Sequence, residues 1–244
     1  MSEPCRLIRY RDQPELARRA AARLLASLIE LQADGRVAHL CLTGGRAALA
    51  TYAELGELVP GSDLDPSRLE LWWGDERFVP TDGSDRNAGP TLALLARHFL
   101  VDPARTHPMP SADGQVDAAA SAATYAKELG ETRFDLCILG VGVDGEVAAI
   151  FPGHPSAEPS TQAVIGVTEA PKGPPERISL TIEAINRSRE VWLLASGEEK
   201  AEVVSRAVAG DSALPAGRVS GRRRTLWLVD EAAAAKLPYY KCSA

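Results

Sequence analysis

The chain has 244 residues, of which 45% are hydrophobic and 25% are charged, and its formal net charge is −6 at pH 7. A chain of this size can bury a large core without disulfides or metals, and its acidic balance excludes a general nucleic-acid binder, which would present a basic face. No stretch approaches the ~20 apolar residues of a membrane span, and the first ten residues lack the apolar segment of a signal peptide. We therefore expect a cytoplasmic protein with neither a nucleic-acid nor a membrane partner.

The cysteines and histidines do not indicate a disulfide or a metal site. Cys5, Cys41, Cys137 and Cys242 are far apart and include no CxxC pair. Two of them, Cys41 and Cys137, lie inside apolar runs, where a cysteine behaves as a small hydrophobic residue. No three histidines have the spacing of metal ligands, so we expect no bound metal.

Strand and helix patterns alternate through the first half of the chain. The predicted elements are an edge strand (5–10), a long amphipathic helix (14–35), an apolar strand that runs into two glycines (36–45), an Ala-rich helix (46–58), a strand that ends in a charged loop (68–80) and two further helices (87–100 and 117–130).

The second half continues this alternation around one irregular segment. The strand at 134–142 is the most apolar, and a short helix is expected to begin at Glu146. The Pro-, Ser- and Gly-rich segment 153–176 is interpreted as a loop around a short strand at 163–169. The remaining predictions are an ordered segment (176–188), a strand (190–196), a helix (197–210), a strand (224–230) and a helix (231–237).

Near-continuous apolar strands of this kind suit a parallel sheet that is covered on both faces. The alternation predicts an α/β fold, with one doubly wound, mostly parallel, Rossmann-like sheet and helices on both faces. The sequence contains no internal repeat or linker, so we expect a single domain of residues 1–244. In such a fold the ligand binds beyond the carboxyl ends of the strands, where the glycine-rich loops meet.

The first candidate site segment is the glycine turn in CLTGGRAAL (41–49). A turn of this kind points backbone N–H groups and the positive end of a helix towards an anion. Gly44 and Gly45 allow the backbone to approach a phosphate closely, and Thr43 adds a hydroxyl donor. An ordinary strand-to-helix turn has the same composition, so this segment alone leaves both interpretations open.

The second candidate is the charged segment WWGDERFVPTDGSDRNAG (72–89). A charged triplet directly after two tryptophans at a strand end is uncommon, which favours a functional Arg77 that binds phosphate or polarises a carbonyl oxygen. Asp75 is placed to orient Arg77 or to accept a hydrogen bond from a sugar hydroxyl. Asp85 and Asn87 are interpreted as a loop residue and a helix cap.

The third candidate is the loop GVGVDGEVAAIFPGHP (140–155), which follows the most apolar strand. Gly140 and Gly142 permit a close backbone approach, and Asp144 belongs to a tight turn. Glu146 would stand at the start of the predicted helix. The positive helix end would stabilise its carboxylate anion and weaken it as a base near neutral pH.

Three basic residues follow or precede later strands. Arg177, Lys200 and Arg218 are each placed to close on a phosphate at the strand ends, although each has the alternative of being ordinary surface charge. His154 is interpreted as a loop histidine without a catalytic role.

Taken together, these segments resemble the bacterial 6-phosphogluconolactonases over nearly the whole chain. The matching segments, in order, are LTGGRAAL, WWGDERFVPTDGSDRNAG, FDLCILGVGVDGEVAAIFPGHP, RISLTIEAIN, SGEEKAEVV and LPAGRV. The segments GDERFVP and FPGHP look more like this branch than like the glucosamine-6-phosphate deaminases, which share the fold. The resemblance implies hydrolysis of 6-phosphoglucono-1,5-lactone in the oxidative pentose phosphate pathway, without a cofactor. We also expect a monomer or weak homodimer.

The resemblance also implies roles for individual residues. The implied catalytic set is Glu146, Arg77 and Asp144. The implied substrate- and phosphate-binding set is Thr43, Gly44, Gly45, Arg46, Asp75, Lys200 and Arg218.

The chain departs from the family pattern at two positions. Arg46 replaces a small hydroxyl residue in a loop that usually reads SGGSTP and here reads TGGRAA. Glu146 falls on the histidine of the family motif DGH, a residue thought to activate the attacking water. Loss of such a base typically lowers the rate by about 10²–10⁴-fold.

Three hypotheses stay open at this point. In the first, the chain is a lactonase in which Glu146 deprotonates water and Arg77 steadies the oxyanion, which requires Glu146 to be desolvated. In the second, it binds a sugar phosphate with little or no catalysis. In the third, it acts on a different phosphosugar, since Arg46 would suit a more anionic substrate.

Overall fold

The computed structural model describes residues 5–238, with Cys242 outside this range. The strands are β1 (Arg6–Tyr10), β2 (Ala38–Leu42), β3 (Leu69–Trp73), β4 (Asp75–Arg77), β5 (Thr106–His107), β6 (Leu136–Gly140), β7 (Val164–Val167), β8 (Arg177–Leu180), β9 (Glu190–Ala195) and β10 (Arg224–Asp230). The helices are α1 (Gln13–Gln32), α2 (Arg46–Leu58), α3 (Ala88–Leu95), α4 (Ala118–Leu129), α5 (Ile182–Ile185), α6 (Ala201–Val208) and α7 (Pro215–Arg218).

Seven strands form one sheet in the order β1-β10-β9-β6-β2-β3-β5, and every neighbouring pair is parallel. All six residues of β9 are buried. Successive side chains of a strand point to opposite faces, so both faces of the sheet are covered at this strand. The predicted doubly wound, mostly parallel α/β fold is confirmed.

The order of the strands creates a crevice between β2 and β6. From β2 the chain proceeds outward to β3 and β5, and it then returns to β6 on the other side of β2. The connections that follow β2 and β6 therefore diverge from neighbouring strands, and such a switch point is where open α/β sheets bind ligands. Both strands end in the glycine-containing segments singled out above.

The segment predicted as one strand, 68–80, belongs to two sheets. β3 lies in the main sheet, whereas β4 pairs antiparallel with β8 in a second sheet of order β4-β8-β7. Gly74 joins them: its N–H donates to Leu42 O at 2.9 Å, and its carbonyl accepts from Leu180 N at 2.8 Å. The second sheet therefore holds the charged triplet over the end of the main sheet.

Two predicted helices are absent from the described residues. The segment 231–237 forms consecutive turns after β10. The segment after Glu146 is a loop with a single bridge between Val147 and Ile150, because Gly145 and Ala148 have φ values of 83° and 50°, outside the right-handed helical region. The short strand predicted at 163–169 is confirmed as β7.

Among residues 5–238 there is no helix whose length and apolar character would allow it to cross a membrane.

Candidate active site

The turn after β2 prepares a binding site for an anion. Tyr52 on α2 fixes the turn, because its hydroxyl accepts from Thr43 N at 3.1 Å and donates to Thr43 O at 3.3 Å. Gly45 has a φ of 96° and occupies the N-cap position of α2 without a side-chain cap. The first N–H groups of α2 therefore face the crevice without an intrahelical acceptor, which is the arrangement that binds phosphate groups.

Arg77 lies directly against this turn. A methyl group built on Gly44 would overlap the Asn87 amide and lie 3.2 Å from Arg77 Nη1, so a residue larger than glycine would displace both side chains. Arg77 Nη1 donates to Asn87 Oδ1, while Arg77 Nε is buried without a hydrogen-bond partner among the described residues. The guanidinium is thus positioned beside the anion turn with donor capacity to spare.

The helix cap after the charged loop is supplied by a residue that the sequence did not indicate. Glu76 is fully buried, and its carboxylate accepts from Asn87 N at 2.6 Å and Ala88 N at 2.9 Å at the start of α3. Asn87 occupies the N-cap position, but its side chain makes no cap bond. It donates instead to Asp75 O at 2.9 Å and holds Arg77, so Asn87 is a site residue rather than the expected cap.

Asp75 is the most strongly perturbed carboxyl group of the site. Burial raises its pKa to about 6, although the positive charge of Arg77 opposes the shift. The residue is only 6% exposed and still lines the cavity. A carboxyl group with this pKa changes its charge just below neutral pH.

The raised pKa of Asp75 has a consequence for stability. An unfolded aspartate ionises near pH 4, whereas folded Asp75 ionises near 6, so the free energy of unfolding falls as the pH rises through this interval. Replacement by asparagine removes that loss, and we expect Asp75→Asn to be more stable than the wild type by about 1–3 kcal/mol at pH 7.5. Urea unfolding at pH 4.5 and 7.5 measures the difference. A difference that does not grow with pH would contradict the prediction.

Glu146 is nearly buried and is held by two donors. One carboxylate oxygen accepts from Asp144 N at 3.1 Å, and the other pairs with the ammonium group of Lys172. Lys172 also contacts Asp144 Oδ2 at 3.0 Å. A methyl group on Gly142 would overlap the Glu146 carboxylate, so the glycine creates the space that this side chain occupies. These two contacts hold the Glu146 carboxylate, whereas the sequence predicts that the end of a helix would do so.

Lys200 connects the two parts of the site. Its ammonium group donates to Val141 O at 2.6 Å, and burial lowers its pKa, an effect that Glu146 opposes. Lys200 lines a cavity of about 300 Å³ between the turn after β2 and the loop after β6, and it also lines an adjoining cavity of about 320 Å³. The first cavity is also lined by Thr43, Gly44, Gly45, Asp75, Arg77, Asn87, Gly140, Gly142, Glu146, Lys172 and Arg177.

Comparison with known proteins identifies the family. The sequence model described as glucosamine-6-phosphate isomerases/6-phosphogluconolactonase matches residues 11–227. This chain belongs to that family.

Individual relatives match over almost their full length. The chain is 44% identical to a 6-phosphogluconolactonase of Streptomyces coelicolor, over 98% of this chain and 97% of that protein. It is 39% identical to one of Mycobacterium leprae, over 90% and 93%. The solved structure of the 6-phosphogluconolactonase from Trypanosoma cruzi is similar with a TM-score of 0.84 and 25% identity, over 98% and 99%. The family expected from the sequence motifs is confirmed.

Most residues that the family resemblance singled out converge in the structure. The first cavity contains Thr43, Gly44, Gly45, Asp75, Arg77, Glu146 and Lys200. Arg46 lines the adjoining cavity, where its highly exposed guanidinium lies 3.7 Å from Glu199. Asp144 does not line the first cavity itself, but its carboxylate contacts Lys172 and its backbone N–H donates to Glu146, and both of these residues line it.

Arg218 is not brought to either cavity. Its guanidinium donates to Ala157 O at 2.6 Å, and its carbonyl accepts from Asn186 Nδ2 at 3.1 Å. Through these two hydrogen bonds, Arg218 joins α7 to the segments that contain Ala157 and Asn186. His154 is also engaged locally, with Ser156 and with Thr168 O at 3.0 Å, in keeping with its interpretation as a loop residue.

The site residue that sequence reasoning missed altogether is Lys172. It stands in the loop between β7 and β8, in the sequence APKGPPE, where proline and glycine indicate only a loop. The one local signal was a single lysine in a charge-poor stretch.

Proposed function

We propose that this member of the family hydrolyses 6-phospho-D-glucono-1,5-lactone to 6-phosphogluconate, a step of the oxidative pentose phosphate pathway. The proposal is supported by curated relatives that carry the name 6-phosphogluconolactonase and match at least 90% of this chain. The observation that carries it is the charge of the first cavity.

The lining of that cavity is cationic although the chain as a whole is acidic. It contains two carboxylates, Asp75 and Glu146. It also contains four cationic side chains, those of Arg77, Lys172, Arg177 and Lys200. A cleft with this excess of positive charge attracts an anion and holds it by charge-assisted hydrogen bonds.

The arrangement suggests how the substrate lies. The phosphate would bind where the N–H groups of the glycine turn, Arg77 and Lys200 meet, because these donors surround the start of α2. The lactone ring would then extend towards the loop after β6, which carries Glu146. Each oxygen of that carboxylate has one protein donor and a second lone pair, which can accept a hydrogen bond from the attacking water.

Enzymatic turnover separates this proposal from a non-catalytic binding protein. We expect the wild-type chain to hydrolyse freshly prepared 6-phosphogluconolactone well above the rate in buffer, with saturation kinetics. A non-catalytic binding protein would bind 6-phosphogluconate, as measured by calorimetry, and would leave the rate of lactone hydrolysis equal to the rate in buffer. That second result would overturn the proposed function.

Other expectations accompany this proposal. We propose that the enzyme works in the cytoplasm, without a cofactor or metal, as a single domain that is a monomer or weak homodimer. The chemistry of the reaction supports the expectation that neither a cofactor nor a metal is needed. Lactone hydrolysis requires only an acceptor for a proton of the water and donors for the developing charge, and the cavity contains both.

A further inference from the structure

The loop that carries Lys172 is fixed by a buried arginine. Arg177, at the start of β8, is 5% exposed. Its Nε donates to Pro174 O at 2.7 Å, and its Nη2 donates to Lys172 O at 2.9 Å and Gly173 O at 2.8 Å. Three consecutive carbonyl groups thus surround one guanidinium. The position of the Lys172 backbone at the cavity wall is therefore set by the structure and does not depend on a bound substrate.

The ammonium group of Lys172 is held in the same way. An ammonium has three donors, and two of them are directed at Asp144 and Glu146. Burial alone would lower the pKa of Lys172, but the hydrogen bonds with these two carboxylates outweigh it, and the pKa is raised. The side chain keeps 39% of its surface exposed and lines the first cavity, so a charged donor is available to a ligand.

The other cations of the cavity have different roles in the proposed arrangement. Arg77 and Lys200 lie at the glycine turn, where the phosphate would bind, and Arg177 holds the loop. Lys172 is the cation in direct contact with Glu146. In the tetrahedral intermediate of lactone hydrolysis the entering oxygen and the former carbonyl oxygen are bonded to the same carbon. A proton acceptor and a hydrogen-bond donor that contact each other, here Glu146 and Lys172, can therefore interact with the entering oxygen and the former carbonyl oxygen at the same time.

We propose that Lys172 is a catalytic residue, whose ammonium group donates to the C1 carbonyl oxygen of the lactone while the adjacent Glu146 accepts a proton from water. This inference rests on the proposed function. As the water oxygen bonds to C1, the carbonyl π electrons move onto the oxygen held by Lys172, and the proton passes to Glu146. The electrons then return, the bond between C1 and the ring oxygen breaks, and the ring oxygen takes the proton from Glu146. One water is consumed, and no oxidant or cofactor is needed.

The test is the replacement Lys172→Met, which keeps the aliphatic chain and removes the charge. We expect kcat to fall by about 10²–10³-fold, the usual effect of removing one donor to an oxyanion. Lys172→Gln retains a neutral donor for Glu146, and we expect its kcat to fall at least tenfold. The matched control is Lys236→Met, which removes a lysine paired with Glu202 at 2.8 Å outside the cavity and should retain the wild-type kcat.

Binding of glucitol 6-phosphate distinguishes catalysis from a structural role, because this ligand carries the phosphate but no C1 carbonyl. We expect its Kd, measured by calorimetry, to change less than threefold in Lys172→Met. A kcat within threefold of wild type in both variants, or a loss of glucitol 6-phosphate affinity as large as the loss of rate, overturns the inference and leaves the proposed function standing. Wild-type turnover no faster than buffer overturns both.

Discussion

Replacement of Arg77 by methionine is expected to lower kcat/KM by about 10²–10³-fold, mainly through a higher KM. The guanidinium lies beside Gly44, it is held by Asn87, and it lines the first cavity. Removing one partner of a buried charge pair typically costs about 2–5 kcal/mol in binding. A residue that binds the phosphate in the ground state and the transition state alike affects KM more than kcat.

Inorganic phosphate provides an independent measurement of the same effect. We expect phosphate to inhibit the wild-type enzyme competitively and to inhibit Arg77→Met far more weakly. Arg187→Met is the matched control, since Arg187 pairs with the exposed Glu131 at 3.4 Å, away from the cavity. If Arg77→Met lowered kcat and left both KM and phosphate inhibition unchanged, Arg77 would act at the carbonyl oxygen instead, which is the other role that the sequence allows for it.

Replacement of Glu146 by alanine is expected to lower kcat by about 10²–10⁴-fold, the range for loss of a general base. The carboxylate is buried beside Gly142 in the cationic cavity, and no other carboxylate lies in contact with Lys172 apart from the more exposed Asp144 among the described residues. The measurement is the initial rate on fresh lactone, corrected for spontaneous hydrolysis. Glu202→Ala, which breaks the exposed pair with Lys236, is the control and should retain the wild-type rate.

The variant Glu146→His tests the same position by introducing a stronger base instead of removing one. An imidazole has an ordinary pKa near 6.5, closer to neutral pH than that of a carboxylate, and is therefore suited to remove a proton from water. A gain of orders of magnitude in Glu146→His, together with an unchanged rate in Glu146→Ala, would show that Glu146 is not a base. In that case the ion pair with Lys172 would have only a structural role.

The architecture followed largely from local patterns in the chain. The apolar runs that form β6 and β9 are local features of the sequence, and so is the amphipathic pattern of α1. The parallel sheet could therefore be predicted from the sequence. The glycine turn at Gly44 and Gly45 was identifiable for the same reason, since a backbone conformation needs only the residues that form it. The helix predicted after Glu146 is absent because the positive φ values that the loop imposes at Gly145 and Ala148 outweigh the local helix propensity.

The sequence by itself determined the family, most of the alternation of strands and helices, and the types of residue that end the central strands. Only the tertiary structure decided which charges meet. It placed Arg77 against Gly44 and Lys172 against Glu146, and it bonded Arg218 away from the cavity. The reason is physical: hydrogen bonds and ion pairs act over a few ångströms in space, and the residues that form this site come from loops separated by tens of positions in the chain.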